Sequence, residues 1–240
     1  MRPLPAIAIL FLAGGCSETA LQYGKQLTDD PGVSDAQSNA FRCTTCHDLT
    51  QAPSGKLRPG YTLYDAASRP TWWGGFDTTL LDSMNQCITF FMAGDALTAD
   101  DEKGRALHLY LESISPDATS PALPLTVVQQ IVDIPSGDPA LGKQLWDTGC
   151  GNCHGAPHTG AGRITSIASL VPDDSIMAHG TDPKTGARPV VIEKVRHGKF
   201  FMVGGKMALF PLETLSDAQL GAILGYLETF GLPPYVPPTM

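Results

Sequence analysis

The stretch LSDAQLGAILGYLETFG places Leu220, Ile223, Leu224 and Leu227 at i, i+3, i+4 and i+7, with Ser216 just ahead. That is the apolar stripe of an amphipathic helix behind an N-cap serine. LTADDEKGRALHLYLES repeats the pattern mid-chain: Thr98 is the cap, acids fill the first turn, and Leu107, Tyr110 and Leu111 face inward. GDPALGKQLWDTG predicts a helix entered through Asp138-Pro139, with Leu141, Leu145 and Trp146 on one side. Ser34-Asp35 plays the same capping part ahead of AQSNAFR, and Arg196 and Gly198 close a further helix. Between the halves, SPDATSPALPLT (residues 115–126) is rich in Pro, Ser and Ala and reads as a linker. The tail LPPYVPPTM cannot be helix and lies across the surface or extends from it.

Composition agrees with a loop-rich globular protein wrapped around a large ligand. The 240 residues are 42% hydrophobic and 17% charged, with 25 Gly and 20 Pro, which is room for two small domains or one medium one. A formal charge of −8 argues against a nucleic-acid partner, since phosphate binding needs clustered Lys and Arg. No stretch has the apolar length to span a bilayer. Residues 1–15 predict a signal peptide: Arg2 is the n-region, Ile7 to Ala13 the h-region, and Gly14-Gly15 the small residues before a cut. LAGGCS resembles a bacterial lipoprotein signal. That resemblance implies export, acylation of Cys16 as the first mature residue, and a lipid anchor on the periplasmic side of a membrane. An ordinary secretory signal is the other reading.

Five further cysteines are an odd number and a poor disulfide framework. Four fall in FRCTTCHDL (41–49) and TGCGNCHGA (148–156), each holding Cys-x-x-Cys-His, the c-type haem attachment pattern. Cys43 and Cys46, and again Cys150 and Cys153, are spaced to form thioethers to the vinyl groups of one porphyrin. His47 and His154 are then the proximal iron ligands. A zinc site would need four convergent ligands, and a thioredoxin-like pair needs no histidine and no second copy. Both halves run helix, Cys-x-x-Cys-His, long loop, helix, loop, terminal helix. This resembles the class I cytochrome c fold twice over, across residues 30–230. The resemblance implies an all-α, loop-rich protein of two tandem class I cytochrome c-like domains (20–114 and 127–232), each wrapping one covalently bound haem c. The linker 115–126 joins them, and a Pro-rich tail (233–240) follows.

In class I cytochromes a methionine ahead of the terminal helix supplies the sixth iron ligand. KMALFP resembles that loop, which points to Met207, with Met202 as competitor beside Phe200 and Phe201. Gly204 and Gly205 would let the backbone approach the ring. His158, His179 and His197 read as surface or propionate-neighbourhood histidines. For the first haem, aligning the halves sets Leu97 over Met207, so the sixth ligand is Cys87 or Met92, with Met84 a helical residue nearby. DSMNQCITFFMAGDALTADDEKGRALHLYLESIS resembles the first-haem segment of thiosulfate dehydrogenases, in which a cysteine five residues before Met-x-Gly ligates iron; Lys206-Met207 is similar to their second-haem pair. Arg42, Lys56, Arg58 and Arg69 could meet a small anionic sulfur substrate or haem propionates, and Trp72-Trp73 would pack at the haem edge. The function implied is a dihaem cytochrome c carrying electrons between redox proteins. The alternatives are a thiosulfate dehydrogenase-like enzyme with Cys87 at its iron and a haem subunit of a respiratory complex. A dihaem peroxidase fits worst, because no third histidine ligand with a supporting loop is evident.

Overall fold

The computed structural model describes residues 19–52, 54–201 and 205–237. The expected signal segment, Cys16, Met202 and Gly204 lie outside the described residues. Nine α-helical segments occur among these, joined by long loops, with no strand beyond an isolated Trp72–Asp77 bridge. They are α1 (Ala20–Thr28), α2 (Cys43–Cys46), α3 (Leu80–Asn85), α4 (Glu102–Ser113), α5 (Pro139–Leu145), α6 (Gly151–His154), α7 (Asp173–His179), α8 (Ala187–His197) and α9 (Asp217–Glu228). The expected all-α, loop-rich class is present. No helix is long and apolar enough to cross a membrane among the described residues.

Local rules account for most helix ends. Ser216 caps α9 by accepting the Gln219 N–H, and Gln219 returns the bond to the Ser216 N–H. Asp138 caps α5 as expected, accepting the Ala140 N–H at 2.9 Å ahead of Pro139, but two other expected caps need correction. Thr98 does not cap α4; Asp101 does, accepting the Gly104 N–H at 2.6 Å and the Thr98 N–H at 2.5 Å. The Thr98 hydroxyl instead accepts the Asp101 N–H at 3.2 Å, in the turn ahead of the helix. No helix follows Ser34-Asp35 either. The Ser34 hydroxyl accepts from Ala36 and donates to the Met92 carbonyl, both at 3.2 Å, so it fastens two loops. The first helix lies earlier, at α1, behind a Thr19–Gln22 capping box.

Two helix crossings organise the core. Gly24 of α1 lies against the Ala106 carbonyl and Tyr110 of α4, and Gly142 of α5 lies against the Ala222 carbonyl and Tyr226 of α9. Neither glycine has space for a Cβ; at Gly142 it would sit 2.8 Å from the Tyr226 Cβ. The same tetrapeptide, GKQL, occupies residues 24–27 and 142–145, so one device is used twice. With Gly142 facing α9, its neighbour Leu141 turns outward and is 43% exposed, contrary to the expected inward stripe, whereas Trp146 is buried. Leu27, Val33, Ile88, Met92, Ala106 and Leu107 form the first cluster. A larger one gathers on α8 and α9 around Ile192, Leu220 and Leu224.

Arg188, fully buried on α8, ties the edges of the second cluster together. It bonds Asp133 (2.7 Å), Glu228 (2.6 Å) and the carbonyls of Ile134 and Pro233. The carboxylates and carbonyls together offset the desolvation of the guanidinium, and the Pro233 contact holds the start of the tail down.

Gly24→Ala and Gly142→Ala should each destabilise the protein by about 3 kcal/mol, because a backbone carbonyl cannot move aside. Gly162→Ala meets open space and opposes only a φ of +84°, which should cost about 1 kcal/mol. Urea unfolding of the three variants compares the two effects.

Candidate functional site

Both Cys-x-x-Cys-His segments open into one mainly apolar cavity of about 660 Å³ that runs through the two halves. The first is built on the single turn α2, after which His47 takes an extended conformation. Its Nδ1 lies 2.6 Å from the Tyr61 carbonyl. The loop that brings Tyr61 there is braced by Arg58, which donates to Asp48 at 2.7 Å and to the carbonyls of Thr44 and Thr45. Gly60 passes so close to the imidazole that a Cβ would lie 2.6 Å from His47 Nδ1, while its N–H donates to the Cys46 carbonyl.

The second segment follows a π-helical turn, Trp146–Cys150, and forms α6. The Trp146 indole N–H donates to the Gly155 carbonyl at 2.9 Å, which closes the turn over the motif. Gly155, at φ +68°, is hemmed by the carbonyls of Gly160 and Ala161 and admits no side chain. His154 Nδ1 lies 2.9 Å from the Ser169 carbonyl.

The same imidazole logic therefore operates twice. A carbonyl can only accept, so each Nδ1 carries the proton and each Nε2 keeps its lone pair for a metal. Burial lowers the pKa of both histidines, which keeps them neutral at pH 7. Burial also pushes the thiols up, Cys43 to about 11 and Cys46 and Cys150 to about 12. A thioredoxin-like pair needs the opposite shift. Among the described residues, no three His, Cys, Asp or Glu side chains gather as a metal cluster. Free cysteine pairs, an oriented imidazole and a shared apolar cavity fit haem c.

Of the sixth-ligand candidates, Met207 lines the cavity and packs on the second cluster. Its carbonyl accepts the Lys199 N–H at 2.8 Å, and Gly198, at φ +51°, leaves room for that carbonyl. Lys206 lines the cavity beside it, and its ammonium donates to Ser38 Oγ at 3.1 Å. In the first half, α3 runs into a π-helical turn, Gln86–Phe91, that carries Cys87. Such turns insert one extra residue and re-aim side chains, often at functional sites. Cys87 is half-buried and lines the cavity. Burial first, then neighbouring Cys43, Cys46 and Asp77, push its thiol up. Met92 touches the cavity too but is 4% exposed, packed in the first cluster. Leu97, in the place of Met207, packs against that cluster as well.

The remaining expectations divide. His158, His179 and His197 do not line the cavity. His158 pairs with Asp173, and His197 is buried rather than superficial, bonding the Val128 carbonyl at 2.8 Å. Phe200 and Phe201 are half exposed rather than core. Arg42 and Arg69 line the cavity, with Trp72 and Trp73; Lys56 is exposed and Arg58 serves as the brace described above. Two residues carry no sequence signal. Asn85 clamps Leu97 through both backbone groups, at 2.9 and 2.8 Å. Asp77 is buried near Cys87 with one carboxylate oxygen unpartnered, and burial raises its pKa.

A cytochrome c family model matches residues 139–231, which hold the second motif, Met207, α5 and α9. No curated protein matches the chain in sequence. Among solved structures, the thiosulfate dehydrogenase TsdBA from Marichromatium purpuratum, in its as-isolated form, is similar at 14% identity over 87% of this chain, with a TM-score of 0.41. This chain spans 45% of that chain's length.

Asn85→Ala removes both bonds to Leu97 and should cost about 1.5 kcal/mol. Faster amide hydrogen exchange at residues 93–98, with α9 unchanged, would locate the loss at the clamp.

Proposed function

We propose that this chain is an exported dihaem c-type cytochrome that passes single electrons between redox proteins outside the cytoplasm, anchored through an acylated Cys16. The observation that carries the reading is the shared cavity, with an Nδ1-anchored histidine beside a cysteine pair in each half. Cys43 and Cys46 would hold one haem c and His47 would ligate it. Cys150 and Cys153 would hold the other, between His154 and Met207. Haem iron supplies one-electron chemistry, cycling between ferric and ferrous states. The residues do the rest. The Tyr61 and Ser169 carbonyls orient the imidazoles, the apolar walls limit water, and the neutral, soft Met207 thioether favours the reduced state and raises the potential.

For the first site, packing supports Cys87 over Met92. The methionine sulfur already serves the core between α1 and α4, whereas the cysteine sits on the cavity wall beside Cys43 and Cys46. Burial opposes a free thiolate there, but a coordinating cation deprotonates a thiol outright. A Cys87 thiolate would favour the ferric state and lower the first potential, making the step to the Met207 site downhill. The cavity-facing Cys87, with Arg42 and Arg69 on the same cavity, also favours a second reading: a thiosulfate dehydrogenase-like enzyme acting at the first site. Turnover with thiosulfate and an artificial acceptor separates the two.

Low-temperature EPR of the oxidised protein tests the ligand. Cys87→Ser should abolish one low-spin ferric signal of thiolate character, and Met92→Leu should leave it. Loss of a signal only in Met92→Leu would assign both sites to methionine and remove the support for the enzyme. Met207→His should lower the potential of the second site alone, as read by a spectroelectrochemical titration.

A further inference from the structure

The two attachment segments do not merely share a cavity; they touch through one loop. Leu57 belongs to the first half, between the Arg58 brace and α2, yet its side chain packs on the second half's cluster. Its N–H donates to the Thr148 carbonyl at 3.1 Å, two residues ahead of Cys150. That carbonyl also accepts from the Asn152 side chain at 3.0 Å, so it is held within the second motif. Gly149 is buried directly beneath Leu57. A Cβ there would lie 2.8 Å from the Leu57 Cβ and 2.9 and 3.0 Å from Cδ2 and Cγ. Such an approach permits only glycine. Lys206 bonding Ser38 also crosses between the halves, and the Tyr61 hydroxyl bonds the Pro124 carbonyl of the linker at 3.0 Å.

Resting on the two-haem reading, we propose that Leu57 and Gly149 are the positioning pair for direct electron exchange between the two sites. They press the first attachment loop onto the second motif, so the electron crosses inside the protein rather than through an external carrier. In the step, a haem iron held by His47 would pass from ferrous to ferric and one held by His154 would pass from ferric to ferrous. One electron moves, and no bond forms or breaks and no proton is transferred. Redox proteins deliver the electron to the first site and remove it from the second. Tunnelling falls steeply with separation and is slower through a void than through packed atoms, so closeness at this seam sets the rate.

The test uses the full-length holoprotein, reduced by a flash-generated donor, with the internal exchange rate followed optically. Leu57→Ala opens a void and Gly149→Ala forces the seam apart; each should slow the exchange about tenfold, the scale of a sub-ångström to ångström misplacement. Haem content and the separate spectra should stay unchanged, and magnetic coupling between the ferric centres should weaken in Gly149→Ala. Leu57→Met should restore the rate, and Val132→Ala, on the exposed linker side, should not alter it. An unchanged rate in Leu57→Ala with intact spectra overturns the proposal, and that variant decides alone if Gly149→Ala does not fold. A wild-type haem content of one per chain would instead overturn the two-haem reading itself.

Discussion

A helix resting on the backbone of another helix, with glycine as the only residue thin enough for the contact, underlies this structure. Gly24 meets the Ala106 carbonyl, and Gly142 meets the Ala222 carbonyl. Each crossing joins the first and last helices of its half, so the chain between them must loop out and return. Those loops carry the Cys-x-x-Cys-His segments and line the cavity. They are ordered less by cores of their own than by specific polar ties: Arg58 to Asp48, Arg69 to the Thr62 and Tyr64 carbonyls, and Asn85 to Leu97. Ordering long loops costs conformational entropy, and a handful of bonds to backbone carbonyls offsets part of it.

The halves are copies in plan and unequal in substance. The second cluster contains thirteen buried residues and the first six. By the ordinary value of apolar burial, the second half has much more of its stability in a conventional core, reinforced by Arg188. The first half depends more on its cavity wall and on its contacts with the second. Lys206 and Leu57 reach across, and Tyr61 reaches the linker. The proposed electron relay would benefit from that dependence, since it would hold two sites in a fixed relation instead of on a free linker.

Sulfur chemistry follows from packing in the same way. Met92 and Cys87 are five residues apart, but the first is committed to the crossing of α1 and α4 while the second is turned to the cavity by a π-helical insertion. A thioether in a core contributes through dispersion and flexibility; a thiol on the wall of a haem-sized cavity is available to iron. On the proposed reading, a Cys87 thiolate at one site and a Met207 thioether at the other would set the two potentials apart.

Much of this was legible in one dimension. Cys-x-x-Cys-His declares its chemistry by spacing alone, and α4, α5 and α9 show themselves through apolar positions at helical period. Caps were harder to read, because Thr98 and Asp101 lie within one turn of the same helix start, and the Ser34 hydroxyl fastens loops rather than capping a helix. The repeated GKQL was available as a sign of α1, but its meaning, a glycine against a carbonyl, exists only once the helices cross. How deeply each sulfur is packed beside the cavity depended on the tertiary structure, where a single inserted residue in a helical turn shifts every later side chain by about 100°. Leu57 above Gly149 joins residues far apart in the chain. Periodicity reports how much of a segment is buried; only the tertiary structure decides against what, because burial partners are chosen by shape and by the bonds left to satisfy.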